Sequence, residues 1–235
     1  MTAAPIARDT LVDTLVGRLR DDMLAQRYPA GSLLPPERDL AAAYGVTRTS
    51  LKHALVRLAQ AGLVETRHGI GTTVLDYRRH AGPDLLPMLL AHAAGEGADG
   101  RWLAEIFDVR HDIGALVAAH AAANRTLEQA DVLRAQLNAI TTAADADAAQ
   151  LAECEIHRVL ADASGNRVYG LLVNSLLNAY LQVRGLFQAP FTDPQVAGAR
   201  LAPLVDAITA GDPAAAHAAA SAYLTQTRTL MLGED

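Results

Sequence analysis

Residues Leu34–Val74, LPPERDLAAAYGVTRTSLKHALVRLAQAGLVETRHGIGTTV, carry the clearest pattern in this chain of 235 residues. Pro35 and Pro36 suit the entry to a helix, because the first helical turn does not need the N–H group that proline lacks. Gly45 then ends the helix in the manner of a left-handed C-terminal residue. The pattern predicts a short helix followed by a tight turn.

The second half of the stretch predicts another helix and a hairpin. Thr47 is a good N-cap, and Gly62 closes the helix. Between them, apolar residues recur at spacings of three and four, which predicts one buried face. These residues are Leu51, Ala54, Leu55 and Leu58. After Gly62, strand-like residues flank the turn RHGIG, residues 67–71, in which two glycines permit the chain to reverse.

The polar residues of the second helix indicate a use for the stretch. Its first turn and a half is crowded with side chains that avoid the apolar face: Arg48, Thr49, Ser50, Lys52 and His53. A helix that enters a DNA major groove presents its N-terminal residues to base edges and phosphates. The outline is therefore that of a winged helix-turn-helix that reads DNA. The alternative is a solvated helix face beside an ordinary hairpin.

Charge is distributed unevenly along the chain. Residues 31–80 carry seven basic and four acidic residues, a balance of +3, whereas residues 81–235 carry −9 and the whole chain −6. Neutralisation of phosphates is local, and salt screens charges that lie more than about 10 Å apart. A basic module on an acidic body can therefore still bind DNA.

Length and composition limit the remaining possibilities. The length suits two domains of ordinary size, and the 51% hydrophobic content, much of it Ala and Leu, favours helix. The single cysteine, Cys154, rules out an internal disulfide framework and fits a reducing cytosol. We find neither a signal peptide nor an apolar run of about 18 residues, so we expect a cytoplasmic protein with no membrane partner.

Helical patterns dominate outside the opening stretch. A first helix over residues 8–27 has one apolar stripe, formed by Leu11, Leu15, Leu19 and Met23. Thr126 and Gln129 predict a capping box, and Asp212-Pro213 predicts the start of a last helix that ends near residue 232. Further helices are expected over residues 85–94, 101–125, 147–163 and 167–187, with a loop at 95–100. About seven helices and no credible strand predict a helical bundle.

The opening stretch resembles the DNA-binding domain of the GntR family of bacterial winged-helix regulators. The runs LPPERDLAAAYGVTRTSLKHALVRLAQAGLV and RHGIGTTV follow the pattern of that family, and the resemblance covers roughly residues 8–76. It implies DNA contacts from the helices and from the wing. The helical contacts would come from Arg38, Thr47, Arg48, Thr49, Ser50 and Lys52, and the minor-groove contacts from His68 and Gly69. Relatives usually carry Arg where Lys52 stands, which favours a phosphate contact there over a bidentate one.

The helical body resembles the C-terminal effector domain of the FadR subfamily. Three local matches carry this resemblance: EIFDVRHDIGALVAAHAA, EIHRVLADASGN and LAPLVDAITAGDPAAAHAAA. Such domains dimerise and bind a small metabolite inside the bundle. The resemblance therefore implies a ligand-responsive repressor or activator that binds a palindromic operator as a homodimer.

Many relatives hold a divalent metal ion in this bundle. In this chain the first pair of ligand positions corresponds to Glu153 and His157, which share a helix face at i, i+4. The two other positions fall at Leu201 and Tyr223. Leucine cannot bind a metal, and tyrosine is a poor zinc ligand compared with histidine. We therefore expect no metal and no cofactor, with Glu153 and His157 hydrogen-bonded to each other or to the effector.

Two classes of effector fit the resemblance. The regulator that names the subfamily binds long-chain acyl-CoA, and the run ASGNRVYGLLVNSLLNAYL resembles its corresponding helix. Five apolar side chains could line an acyl tunnel or simply form core: Leu176, Leu177, Tyr180, Leu181 and Phe187. Arg110 lies on an otherwise apolar helix face, where it would need an anionic ligand or Glu153 as a partner. A small organic acid, with or without a divalent metal, is therefore the competing effector. The candidate effector-binding residues are Arg110, Glu153, His157, Tyr180 and Tyr223.

Other classes of function find less support in the sequence. We find no Walker loop, no GxGxxG after a strand, no HExxH and no GxSxG. Cys154 lies beside Glu153 and Glu155, which would raise the pKa of the thiol rather than lower it. We therefore expect no enzymatic activity. A DNA-binding protein without an effector remains an alternative, and it would lack a cavity.

The sequence thus predicts a mainly α protein of two domains. Residues 1–76 form a winged helix-turn-helix with a small β-hairpin, and residues 77–84 form a linker. Residues 85–235 form an all-helical bundle that binds the effector and dimerises.

Overall fold

The computed structural model describes residues 8–93 and 100–233. The chain divides into two compact units, the first ending at Met88 and the second beginning at Leu89. The predicted linker, residues 77–84, contains a one-turn helix and the start of a 3₁₀ turn, Pro83–Leu85.

The described part of the first unit contains four helices and a two-stranded antiparallel sheet. They are α1 Arg8–Leu24, α2 Glu37–Ala43, α3 Arg48–Gln60, β1 Val64–Arg67, β2 Gly71–Val74 and α4 Tyr77–His80. The two strands pair in register from Val64 with Val74 to Arg67 with Gly71. Leu33 adds an isolated bridge to Thr73. The predicted winged helix-turn-helix is confirmed.

The core of this unit lies between α1 and α3. The apolar stripe predicted for α3 is buried in full, and α1 packs against it. The stripe predicted for α1 needs a correction, because Leu11 is 51% exposed whereas Val16 is buried. Helix α1 also ends at Leu24, before Gln26, which has a φ of 59°.

The turns around α2 and α3 follow from local chemistry. Pro36 is the N-cap of α2 with extended backbone angles, so the prolines precede the helix rather than form its first turn. Gly62 follows α3 with a φ of +73°, and a Cβ there would lie 2.6 Å from the carbonyl oxygen of His80. Glycine is therefore required where the chain passes from α3 to the wing.

The second unit is a helical bundle. Its helices are α5 Leu86–Ala93, within which the boundary between units falls, α6 Gly100–Asn124, α7 Leu127–Thr141, α8 Ala146–Ala163, α9 Arg167–Val183, α10 Pro194–Ala210 and α11 Pro213–Leu232. The predicted capping box at Thr126 and Gln129 is confirmed, as is the start of α11 after the N-cap Asp212. Residues 95–99 of the predicted loop lie outside the described residues, and Gly100 begins α6.

The core of the bundle lies where α6 packs against α11 and where α7 packs against α8 and α10. Its largest fully buried side chains include Leu133, Ile156, Leu201 and Phe191. The helix predicted to reach residue 187 instead ends at Val183, and a 3₁₀ turn follows at Arg184–Leu186. The side chain of Gln150 donates to the carbonyl oxygens of Arg184 and Phe187, each at 3.0 Å, and holds this tighter path.

Candidate functional site

The N-terminus of α3 is organised by two of the residues expected to contact DNA. Thr47 is the N-cap, and its hydroxyl oxygen accepts a hydrogen bond from the backbone N–H of Ser50 at 3.1 Å. The two hydroxyl groups lie 3.0 Å apart. The hydroxyl groups of Thr47 and Ser50 therefore already take part in capping the helix. They can contact DNA only through the hydrogen bonds that capping leaves unused.

The neighbouring basic side chains differ in how far they are already paired. Arg48 is exposed and makes no ion pair with any residue in the described ranges, and Thr49 beside it is also exposed. Arg38 Nε lies 3.1 Å from the carboxylate of Asp39. Lys52 Nζ lies 3.9 Å from Glu37. Arg48 is thus the cation most available to a phosphate or a base edge.

The tip of the wing consists of His68, Gly69 and Ile70, and all three are exposed. Gly69 has a φ of +77°, and open space surrounds the position that a Cβ would take. Its backbone conformation, rather than crowding, is what requires glycine there. The tip therefore presents the exposed His68 imidazole next to a glycine, with Ile70 also exposed.

The second unit contains a largely apolar cavity with a volume of about 70 Å³. Helices α5, α6, α8, α9 and α11 contribute to its wall, as does Phe187, which follows the 3₁₀ turn. The side chains that line it are Leu90, Ile106, Phe107, Arg110, Ile113, Gly114, Glu153, His157, Val173, Leu176, Leu177, Tyr180, Phe187, Leu224 and Met231. Four of the five side chains suggested for an acyl tunnel are among them, whereas Leu181 packs against the core.

Three side chains converge on one carboxylate oxygen at the polar end of the cavity. Glu153 Oε1 lies 3.0 Å from Arg110 Nη2 and 2.9 Å from His157 Nε2, and it accepts a hydrogen bond from the Tyr223 hydroxyl at 2.9 Å. Arg110 also donates to Thr227 Oγ1 at 3.2 Å. Tyr223 does not line the cavity itself, so it contacts Glu153 from the side that faces away from the cavity.

The electrostatics of this cluster favour the ionised carboxylate. Glu153 is fully buried, which alone would raise its pKa, but His157, Arg110 and Tyr223 outweigh burial and lower the pKa to about 2. Burial and the same carboxylate raise the pKa of Tyr223 well above its ordinary value. Glu153 therefore carries a negative charge that balances Arg110, and Tyr223 acts as a neutral donor.

The residues at this position do not fit a metal ion. Leu201 is buried and offers no ligand atom, and the Tyr223 hydroxyl is engaged with Glu153. The guanidinium of Arg110 occupies the place beside the carboxylate that a cation would need. Across residues 8–93 and 100–233, no three His, Cys, Asp or Glu side chains are grouped as a metal site requires.

Tyr180 lines the cavity from α9, and its hydroxyl oxygen lies 2.6 Å from Gln150 Nε2. Burial raises the pKa of Tyr180, and the nearby charge of Glu153 raises it further. Gln150, Thr227 and Gly114 are not among the residues predicted from the sequence. Thr227 follows Tyr223 by one helical turn, which was a usable signal, but nothing local marks Gln150 or Gly114.

Comparisons with known proteins agree with both units. The family described as bacterial regulatory proteins, gntR family, matches residues 11–74, and the FCD domain matches residues 105–226. An HTH-type transcriptional regulator of Mycobacterium tuberculosis is 36% identical over 97% of this chain and 92% of its own length. A fatty acid metabolism regulator protein of Pectobacterium carotovorum is 34% identical over 72% of this chain and 67% of its own length.

The similarity to solved structures concerns the fold. The chain matches the full length of a protein that controls expression of the Listeria monocytogenes agr system, with a TM-score of 0.61 and 13% identity. No helix in the described ranges is long and apolar enough to cross a membrane. The winged helix, the cavity-bearing bundle and the two family matches together show that the chain belongs to the GntR family of bacterial DNA-binding transcription regulators, with an FCD domain of the FadR type.

Proposed function

We propose that this regulator binds a palindromic operator as a homodimer and that a small metabolite in the cavity of the second unit changes its affinity for DNA. The observation that supports this most is the cavity itself, with its ion-paired polar end, in a chain whose other unit carries the DNA-reading helix. Loss of DNA affinity on binding would release the protein from its operator, and gain of affinity would recruit the protein to it.

On DNA, α3 enters the major groove. Arg48 reads a base edge or a phosphate, Thr49 lies beside it, and the partly paired Arg38 and Lys52 take phosphates. Thr47 and Ser50 contact the DNA backbone through hydrogen bonds of their hydroxyl groups that capping does not use. His68 and Gly69 place the wing in the minor groove.

A homodimer follows from the size of this reading surface. One copy of α3 covers only a few base pairs, so a second copy related by two-fold symmetry would double the site and require a palindrome. Half-sites about one helical turn of DNA apart, roughly 34 Å, would then be expected.

The effector is a carboxylic acid with a small apolar substituent. Arg110 uses one N–H group on Glu153 and one on Thr227, and so keeps donors for a ligand. Nδ1 of His157 makes no hydrogen bond to any residue that the structure describes. Ligand sites for drug-sized molecules usually span roughly 300–1,000 Å³, so a cavity of about 70 Å³ favours a small acid.

A fatty acyl-CoA is the second candidate. The apolar wall and the relatives named as fatty acid metabolism regulators support it. A long acyl chain would need the wall to open, because the volume present is too small to hold it. Tyr180 and Phe187 lie beside the 3₁₀ segment, where the wall is not a continuous helix.

This function involves neither catalysis nor a cofactor. The relatives are named as transcription regulators. Because its target is chromosomal DNA, the protein acts in the cytoplasm.

The DNA-reading part is tested on an operator selected from random duplexes with the purified protein. We expect Arg48→Ala to weaken operator binding by about 1–3 kcal/mol, because one base or phosphate contact is lost. Arg134→Ala removes the same charge from an exposed position on α7 and serves as the control. Equal operator affinity for the wild type and Arg48→Ala would show that α3 does not read DNA as proposed.

A further inference from the structure

Two residues of the cavity wall, Gly114 on α6 and Leu224 on α11, lie against each other. Gly114 follows Arg110 by four residues, so it lies on the same helix face about 6 Å further along the axis. Leu224 is only 3% exposed. The pair therefore forms apolar wall one helical turn beyond the polar end of the cavity.

A side chain at position 114 would require the end of the Leu224 side chain to move. A Cβ built on Gly114 would lie 2.6 Å from Leu224 Cδ1, which is closer than carbon atoms pack. Glycine within a helix is destabilising relative to alanine, so it needs a reason in the packing. The reason here is that Leu224 occupies the space of the missing side chain.

We infer that Gly114 and Leu224 set the length of the effector that the cavity accepts. The carboxylate of the acid lies beside Arg110 and His157, and its apolar chain ends against Leu224. This inference rests on the proposed function, in which the cavity binds a carboxylic acid.

Whether a substitution shortens or lengthens the cavity depends on where free volume lies around Gly114 and Leu224. Leu224 is 3% exposed, and it lines the cavity together with Gly114. A methyl group added at position 114 must displace the end of the Leu224 side chain, and the methyl group and the displaced side chain both take up space at the cavity wall. Shortening Leu224 instead extends the cavity along the chain direction of the acid, since the surrounding helices relax only in part.

The test uses straight-chain saturated carboxylic acids from acetate to palmitate, with binding measured by calorimetry and by the rise in unfolding temperature. We expect Leu224→Ala to move the optimum to a chain longer by roughly three carbon atoms, the number removed from the wall. Gly114→Ala should weaken binding of the longest acid that the wild type accepts by about tenfold. Leu133→Ala, at a fully buried position that does not line the cavity, is the matched control and should keep the wild-type optimum.

The outcomes separate this inference from the function on which it rests. If the wild type binds an acid and all variants share its optimum, Gly114 and Leu224 do not set the length and the inference is overturned. If the wild type binds no acid of the series, the carboxylic acid effector itself is wrong and the inference is overturned with it. A cooperative unfolding transition of the second unit without acid, measured for each variant, reports that this unit is folded.

Discussion

At the scale of single residues, the Glu153 carboxylate determines the character of the effector domain. A buried charge is costly unless it is paired and hydrogen-bonded. Here polar side-chain atoms of Arg110, His157 and Tyr223 all lie within 3.0 Å of one oxygen of the Glu153 carboxylate. The cluster is therefore both a structural anchor for α6, α8 and α11 and a polar wall that a ligand can meet.

The lowered pKa of Glu153 makes a prediction about stability and pH. Its pKa falls from an ordinary value of 4.5 to about 2 on folding. A depressed pKa contributes stability that is present above about pH 4.5 and is lost as the pH falls towards 2. We expect Glu153→Gln to unfold at a lower temperature than the wild type at pH 7, and the two unfolding temperatures to converge between pH 4.5 and pH 2.5.

Glu155→Gln removes a carboxylate from a half-buried position on the same helix and serves as the control. Its unfolding temperature should follow that of the wild type throughout the titration. Parallel curves for the wild type and Glu153→Gln would show that the cluster does not hold Glu153 in its charged form.

The Arg110–Glu153 pair predicts strong coupling between two substitutions. Arg110→Met alone leaves the buried carboxylate without its cation, and removal of one partner of a buried pair costs about 3–5 kcal/mol. Replacing both partners removes the unpaired charge as well. We therefore expect the double variant Arg110→Met, Glu153→Gln to be more stable in urea than Arg110→Met alone, whereas additive losses would argue against a direct pair.

At the scale of elements, the close packing after α3 makes Gly62 a test of the winged helix. Its positive φ and the His80 carbonyl oxygen 2.6 Å from a would-be Cβ both oppose alanine. Gly45 also has a positive φ, of +64°, but has open space around it. Gly62→Ala should therefore lower the free energy of unfolding of the first unit by about 2 kcal/mol more than Gly45→Ala does. Equal losses in urea titrations would show that the turn can move away from α4.

The ends of the helices show which features of an element can be predicted from the sequence and why. The starts of α7 and α11 were predicted correctly, because capping is decided by residues within one helical turn. The end of α9 was predicted four residues too late, since the amide of Gln150, distant in sequence, draws the chain into a 3₁₀ turn. Exposure of Leu11 was missed because periodicity marks a face but not where the packed partner stops.

The cavity shows the same division between local and distant causes. Glu153 and His157 were recognisable as a pair because their spacing places them on one helix face. The contact between Gly114 and Leu224 arises where α6 and α11 cross, more than 100 positions apart in the chain. A single sequence without its fold does not reveal which helices meet, so these two residues could not be identified from it.

At the scale of the whole molecule, the function requires that two sites in one chain are coupled. Effectors typically change the affinity of a second ligand through a coupling free energy of about 1–3 kcal/mol. Such coupling requires that the effector bind differently in the DNA-bound and DNA-free states. The effector therefore changes the DNA affinity of such a regulator, whereas it leaves the DNA affinity of an effector-independent DNA-binding protein unchanged.

The most direct measurement is the dissociation constant for operator DNA, by fluorescence anisotropy, with and without the carboxylic acid that raises the unfolding temperature most. We predict that the acid changes the constant of the wild type by about tenfold, a coupling of about 1.4 kcal/mol. The double variant Arg110→Met, Glu153→Gln should bind the operator equally well and ignore the acid. An operator affinity of the wild type that stays the same when the acid is bound would contradict the account.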